Sequence, residues 1–220
     1  MQRVPEPELM DELEQAAAYA AADFEDVNRA FAERFLDGFP GLRAGRILDL
    51  GCGPADILLR LARALPGARF VGVDGAAAML AEGERAVAEA GLGHAITLER
   101  RILPDLPPGR FDAVLSNSLL HHLHDPMVLW RAVRAAGRPG APVLVVDLFR
   151  PDSEAEARAI VETDAADEPP VLKQDFFNSL LAAFTFDEVR AQLDRAGLGD
   201  LGVRVISERH LAVFGRLRSA

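Results

Sequence analysis

Apolar and polar positions along this chain follow two different periods, and the change from one to the other marks its elements. Over residues 6–38 apolar side chains recur at helical spacing, at Leu9, Leu13 and Ala17 and then at Phe24, Val27, Phe31 and Phe35. This predicts two helices with a kink near Asp23. "DGFPG" ends the pattern. From residue 46 short apolar runs alternate with amphipathic stretches. "RILDL", "ARFVGVD", "HAITLE", "FDAVLSN" and "APVLVVDLF" read as strands. "PADILLRLARAL", "AAAMLAEGERAVAEAG" and "DPMVLWRAVRAAG" read as the helices between them, and "SLLHHL" as a further helical piece. Strands that are apolar throughout, alternating with helices, predict an α/β fold with a parallel sheet covered on both faces.

The rhythm changes after Asp152. Residues 153–167 read as an acidic helix, and "EPPVLKQDFFNSLLAAFT" as a loop and a short helix. The helix "TFDEVRAQLDRAG" opens with Thr185 and has Glu188 three residues on, the pattern of a capping box. "DLGVRVISER" and "HLAVFGRLR" are adjacent alternating runs, which predicts an antiparallel pair at the end of the sheet. The expected organisation is a helical cap over residues 1–43 and one domain over 44–220, with an insertion at about 150–184.

Candidate chemistry concentrates in "ILDLGCGPAD", residues 47–56. In an open α/β sheet ligands bind beyond the carboxyl ends of the strands, so the turn after the first strand is the place to look. Gly51 and Gly53 let the backbone bend and a ligand approach closely. Asp74, at the end of the second strand, can accept from both hydroxyls of a ribose. A dinucleotide fingerprint would place a third glycine where this chain has Asp56. A carboxylate there repels a pyrophosphate and suits a cation, and Asp49 adds a second negative charge. The pattern points to a ribose with a positively charged tail.

Composition narrows the partners. The 220 residues carry 24 Lys and Arg against 34 Asp and Glu, a net charge of −10. That repels DNA and favours a small-molecule or protein partner. No run reaches the roughly 18 apolar residues of a membrane span, and the N-terminus lacks the apolar core of a signal peptide. With a single cysteine, Cys52, the expected location is cytoplasmic and no intrachain disulfide is possible. Cys52, between two glycines, has no base partner to make it a nucleophile. In the run "HHLHD" only His121 shares a helical face with His124 or Asp125, so the run by itself gives no metal site. The sequence leaves the oligomeric state open.

"ILDLGCGPADI", "FVGVDGAAAML", "LPPGRFDAVLSNSLLHHLHDP" and "WRAVRAAGRPGAPVLVVD", in this order, resemble the successive motifs of the class I S-adenosylmethionine-dependent methyltransferases, over roughly residues 44–150. The resemblance implies a Rossmann-like seven-stranded sheet, mostly parallel with an antiparallel last strand, helices on both faces and an N-terminal helical lid. It implies S-adenosyl-L-methionine as donor and S-adenosyl-L-homocysteine as product, with in-line transfer to a small-molecule acceptor. Transfer to protein or tRNA, or a non-catalytic S-adenosylmethionine-binding partner subunit, are the alternatives. Cofactor contacts carry over to Asp49, Gly51, Cys52, Gly53, Asp74 and Gly75. Met79 lies against the adenine or in the core. Arg101 and Ile102 bracket the ring through their backbone groups, because Arg100-Arg101 stands where the family often has Gly-Asp. Pro139-Gly140-Ala141 is a smaller departure from Pro-Gly-Gly. Tyr19, the single tyrosine, is placed over the cofactor by the lid. Asn117 is expected at the donor's amino-acid end and as a catalytic candidate. His122 matches a histidine of many relatives, as base or acceptor-side hydrogen-bonder, with a capping role as the alternative. Lys173 (the only lysine), Phe177 and Asp147 are the acceptor-side candidates.

Overall fold

A computed structural model of the chain describes residues 1–6 and 25–218. The first of the two helices expected in the cap, with Tyr19, lies outside the described residues. Helix α1 (Glu25–Gly38) buries Phe31, Ala32 and Phe35. Then follow β1 (Ala44–Leu50), α2 (Asp56–Ala64), β2 (Gly67–Asp74), α3 (Ala77–Glu89), β3 (Ile96–Arg100), β4 (Ala113–Asn117), α4 (Met127–Ala136) and β5 (Pro142–Leu148). The chain continues through α5 (Glu154–Asp164), α6 (Pro170–Ala182), α7 (Phe186–Ala196), β6 (Gly202–Val205) and β7 (His210–Arg216).

The strands form one seven-stranded sheet in the order β3-β2-β1-β4-β5-β7-β6. β1 to β5 run parallel, and β7 is antiparallel to both β5 and β6. This is the mostly parallel sheet with an antiparallel last strand that the sequence led us to expect. The period of two along each strand assigns the faces. Leu48, Leu50, Val114, Val143, Val145, Leu211 and Val213 pack with Trp130 and Val133 of α4 and Val189 and Leu193 of α7. Ile47, Ala113, Leu115, Leu144, Val146 and Ala212 pack with α1 and α2 on the other face. Phe31 and Phe35 of α1 are part of that second core.

Two elements differ from the sequence reading. "SLLHHL" forms only a 3-10 turn, Leu120–His122. The helix expected to be short, α6, runs to 13 residues. Pro170 sits in its first turn, where a missing N–H costs nothing, and Phe177, Leu180 and Leu181 give it a buried stripe. With α5 it forms a satellite core around Leu148. The segment 150–184 is closed at its base. Phe149 bridges Phe184, and the Arg150 guanidinium donates to Ala183 O and to Glu188, both at 2.8 Å. The capping box is present as read: Thr185 Oγ1 accepts from Glu188 N, and Glu188 accepts from Thr185 N at 2.8 Å.

On the α4/α7 side the buried Trp130 indole N–H donates to Gln192 Oε1 at 2.9 Å. Replacing Gln192 by Leu keeps the volume but strands the indole donor. The expected cost is about 1–3 kcal/mol, read as a lower urea midpoint with an unchanged m-value; an unchanged midpoint counts against this bond as a stabilising contact.

Candidate active site

The carboxyl ends of β1, β2 and β4 carry the site. After Leu50 the chain turns sharply, with Gly51 and Gly53 both at positive φ (73° and 50°). The turn is anchored to its neighbour: Gly51 N and Cys52 N both donate to Val73 O, at 2.8 and 3.0 Å. Asp74 ties the two loops together. One carboxylate oxygen accepts from Gly53 N and the other from Ala76 N, each at 2.9 Å. The space beside Gly53 is open, so that a Cβ there would meet nothing within 4 Å. At Gly72 the opposite holds. A Cβ would lie 2.8 Å from Cys52 Sγ and 2.7 Å from Leu58, so this glycine lets the loop pack down onto β2. Burial raises the Cys52 thiol pKa, helped by Asp49 and Asp74, which makes the group inert.

Asp49 lies on β1 between Gly72 and Leu115. It is 2% exposed, and its Oδ1 has no hydrogen-bond partner. Burial, and secondarily the Asp74 charge, push its pKa up to about 7. An orphaned buried carboxylate is costly unless a cation or a donor completes it. Asp56, by contrast, is held by Arg60 at 2.7 Å, and Arg60 also reaches Glu25. The negative character of the pocket therefore rests on Asp49 and Asp74 and not on Asp56.

Around this pair the other candidates take distinct places. Gly75 forms the bend after β2, and its carbonyl accepts from Arg100 Nε at 3.1 Å. Met79 is buried with Ala76 and Ala78 in a small cluster beside that loop. Arg101 N donates to Asp74 O at 2.9 Å, while its guanidinium is taken by Glu99 (2.7 Å) and Asp105 (2.8 Å). The next side chain, Ile102, stands 57% exposed at the rim. Asn117 ends β4, its amide 3.3 Å from Ser118 Oγ, and Ser118 turns the chain at φ 53°. Lys173 lies 3.8 Å from Glu162, and Phe177 is buried between α5 and α6 under Arg158.

Asp147 is buried at the end of β5. It accepts from Leu120 N (2.7 Å), Leu148 N (2.9 Å) and His121 Nδ1 (2.6 Å), which spends it on holding the turn after β4. The N-terminal residues lie across the same edge. Val4 N donates to Leu181 O, and Arg3 donates to His121 O and Leu123 O. Glu6 reaches the histidines, with Oε1 3.5 Å from His121 Nε2 and 3.3 Å from His122 Nδ1, and Ser179 Oγ donates to it at 3.1 Å. Burial opposes charge on His121, but Asp147 and then Glu6 outweigh it, so its pKa is raised. Burial pushes Glu6 up, against the pull of His121 and Ser179.

Residues 48–143 match the family model described as "Methyltransferase domain". The chain is 30% identical over 151 residues to the trans-aconitate 2-methyltransferase of Afipia carboxidovorans, covering 69% of this chain and 56% of that protein. The fold superposes on a putative S-adenosyl-L-methionine-dependent methyltransferase from Methanococcus maripaludis with a TM-score of 0.76, at 15% identity, over 99% of this chain and 98% of the other. Residues 48–143 thus carry a methyltransferase domain, on the fold of the class I S-adenosylmethionine-dependent methyltransferases. A ubiquinone biosynthesis O-methyltransferase of Pseudomonas aeruginosa is a further relative, 32% identical over 119 residues, 53% of this chain and 50% of that one. The chain thus spans about half the length of the curated relatives it matches.

The family match takes in the glycine turn, Asp74, Asn117, His121 and His122, but stops at the start of β5 and excludes Glu6 and residues 150–184. Glu6, which stands against His121 and His122, is a candidate that reading the sequence missed. Its one signal is the "PEP" of residues 5–7, since a residue before proline is biased toward extended backbone and against the helix expected from residue 6. Among the described residues no helix is long and apolar enough to cross a membrane.

Proposed function

We propose that this chain transfers a methyl group from S-adenosyl-L-methionine to an oxygen of a small-molecule acceptor. The observation that carries the reading is the buried Asp49 carboxylate, whose Oδ1 has no hydrogen-bond partner, on the strand that leads into the turn with open space at Gly53. The residues fit the donor: a carboxylate oxygen lacking a partner, a glycine cradle, and a strand-two acid at the rim. When bound, S-adenosylmethionine supplies an electrophilic methyl on a positive sulfur and departs as S-adenosylhomocysteine. Asp74 receives the ribose hydroxyls, Asp49 stabilises the cationic end, and Ile102 offers an apolar edge to the adenine. Asn117 takes the amino-acid end of the donor. The chain's contribution to rate is alignment and exclusion of water, because the leaving thioether needs no protonation. His122 stands on the acceptor side as a hydrogen-bonder. A small-molecule acceptor is supported by the names of two relatives, a trans-aconitate 2-methyltransferase and a ubiquinone biosynthesis O-methyltransferase, and an oxygen by the second.

Calorimetric titration with S-adenosylmethionine, S-adenosylhomocysteine and NAD tests this on wild type and Asp74→Ala. Both adenosyl ligands bind in the expected result, and the substitution weakens them by about 1.5–3 kcal/mol, tenfold or more. Folded protein that binds neither adenosyl ligand contradicts the reading.

A further inference from the structure

The histidine run that supplies no metal site by itself acquires a third ligand from the other end of the chain. We propose that Glu6, His121 and His122 are the three protein ligands of a divalent transition-metal ion of the zinc class. One ligand atom from each of the three lies within 4.8 Å of those of the other two. Metal–ligand bonds of about 2.0–2.2 Å in a tetrahedral set place neighbouring ligand atoms about 3.3–3.5 Å apart. Glu6 Oε1 stands 3.5 Å from one histidine nitrogen and 3.3 Å from the other. A plain hydrogen-bonded cluster would close these gaps, as the adjacent His121–Asp147 contact does at 2.6 Å. Here one carboxylate oxygen stands off from two imidazole nitrogens at the edge length of a coordination tetrahedron.

The surroundings are those of a metal site. Asp147 Oδ1 holds His121 Nδ1 and so leaves Nε2 as the lone-pair nitrogen directed at Glu6, the carboxylate–histidine–metal arrangement. Ser179 Oγ orients the Glu6 carboxyl. Hydrogen bonds from the Arg3 guanidinium to the carbonyls of His121 and Leu123, and from His124 Nε2 to Glu6 O at 3.0 Å, hold the N-terminal segment against the turn. The side chains of Glu6, His121 and His122 are only 12%, 4% and 14% exposed. Among the described residues no other trio of His, Cys, Asp or Glu converges in this way. Two imidazoles and one carboxylate suit zinc or cobalt over magnesium or calcium, and three protein ligands leave a position open for water or a substrate oxygen. The binding of the metal stands independently of the methyltransferase reading; the service of the open position to an acceptor oxygen rests on it.

The test uses the full chain, untagged and stripped with a chelator, titrated with Zn(II) by calorimetry and with Co(II) by visible absorption. One equivalent binds in the expected result, with the intense d–d bands of low-coordinate Co(II). Glu6→Gln and His122→Ala each weaken Zn(II) about 100-fold or more, and Asp147→Asn weakens it about 10- to 100-fold. Glu6→Gln is a near-isosteric change in an extended segment, and thermal melts verify that it folds. Wild-type protein that binds neither metal, or variants that bind as tightly as wild type, overturn the site. S-adenosylmethionine titrated into the same samples separates the two readings: loss of that binding with an intact Co(II) spectrum counts against the cofactor alone.

Discussion

Asp49→Asn is expected to stabilise the ligand-free protein above pH 7 while weakening its hold on S-adenosylmethionine. In the folded chain Asp49 titrates at about 7, against roughly 3.9 for a free aspartate. Folding therefore takes up a proton between these two values. Its contribution makes stability fall as pH rises from about 4 to about 7 and levels off above that. Three pKa units correspond to on the order of 4 kcal/mol. Asparagine escapes that penalty but buries an amide whose donors need partners, an offset of about 1–3 kcal/mol. The net gain expected at pH 8 is about 1–3 kcal/mol, and near pH 4, where only the buried amide is left to count, it turns into a loss of about 1–3 kcal/mol. Urea midpoints of both proteins at pH 5 and pH 8 measure it; parallel pH dependences would sink the argument. Binding moves the other way. The cationic cofactor needs the ionised carboxylate, so wild-type affinity rises with pH up to about 7, and the asparagine variant loses that slope with about tenfold or more of its affinity. A residue that destabilises the empty fold and favours a bound cation is the behaviour of a binding group, since a structural aspartate would be satisfied without ligand.

Asp147→Ala is expected to have the largest effect on stability, about 3–5 kcal/mol, because it removes one partner of a buried charge pair. Three donors lose their acceptor at once: Leu120 N, Leu148 N and His121 Nδ1. The first and last belong to the 3-10 turn that positions His121 and His122. Asp147→Asn keeps an acceptor oxygen and the shape but removes the charge, so it is expected to cost about half as much. Chemical denaturation of chelator-treated wild type and both variants decides this. A loss below about 1 kcal/mol in the alanine variant would show that the turn is held by its backbone alone. The sequence placed Asp147 at the active edge as a contact for the acceptor. Its burial and three bonds give it an architectural part there, holding the turn that carries the histidines.

The glycine turn and its acids were legible because their signals are local. Glycine supplies positive φ within a few residues of a strand end, and Gly51 and Gly53 both use it. Strands show themselves by uninterrupted apolar runs, and the helix at Thr185 by a three-residue capping pattern. Each such rule compares positions that are neighbours in the chain. The segment 150–184 stood out as a break in rhythm, but the length of α6 did not, because its buried stripe exists only against α5 and Leu148.

The amino-acid sequence by itself thus determined the order of strands and helices, the antiparallel end of the sheet and the place of the glycine turn. Tertiary structure alone decided which charges meet. Asp56 faces Arg60 and so leaves the pocket's charge to Asp49 and Asp74, while Asp147 turns to His121. Glu6, with no periodic partner in its own segment, is brought to histidines 115 and 116 residues away. Periodicity encodes which face a residue presents to its own element. Contacts between single polar side chains from distant segments carry no such period, and they become determinate only when the packed sheet brings those segments to one edge.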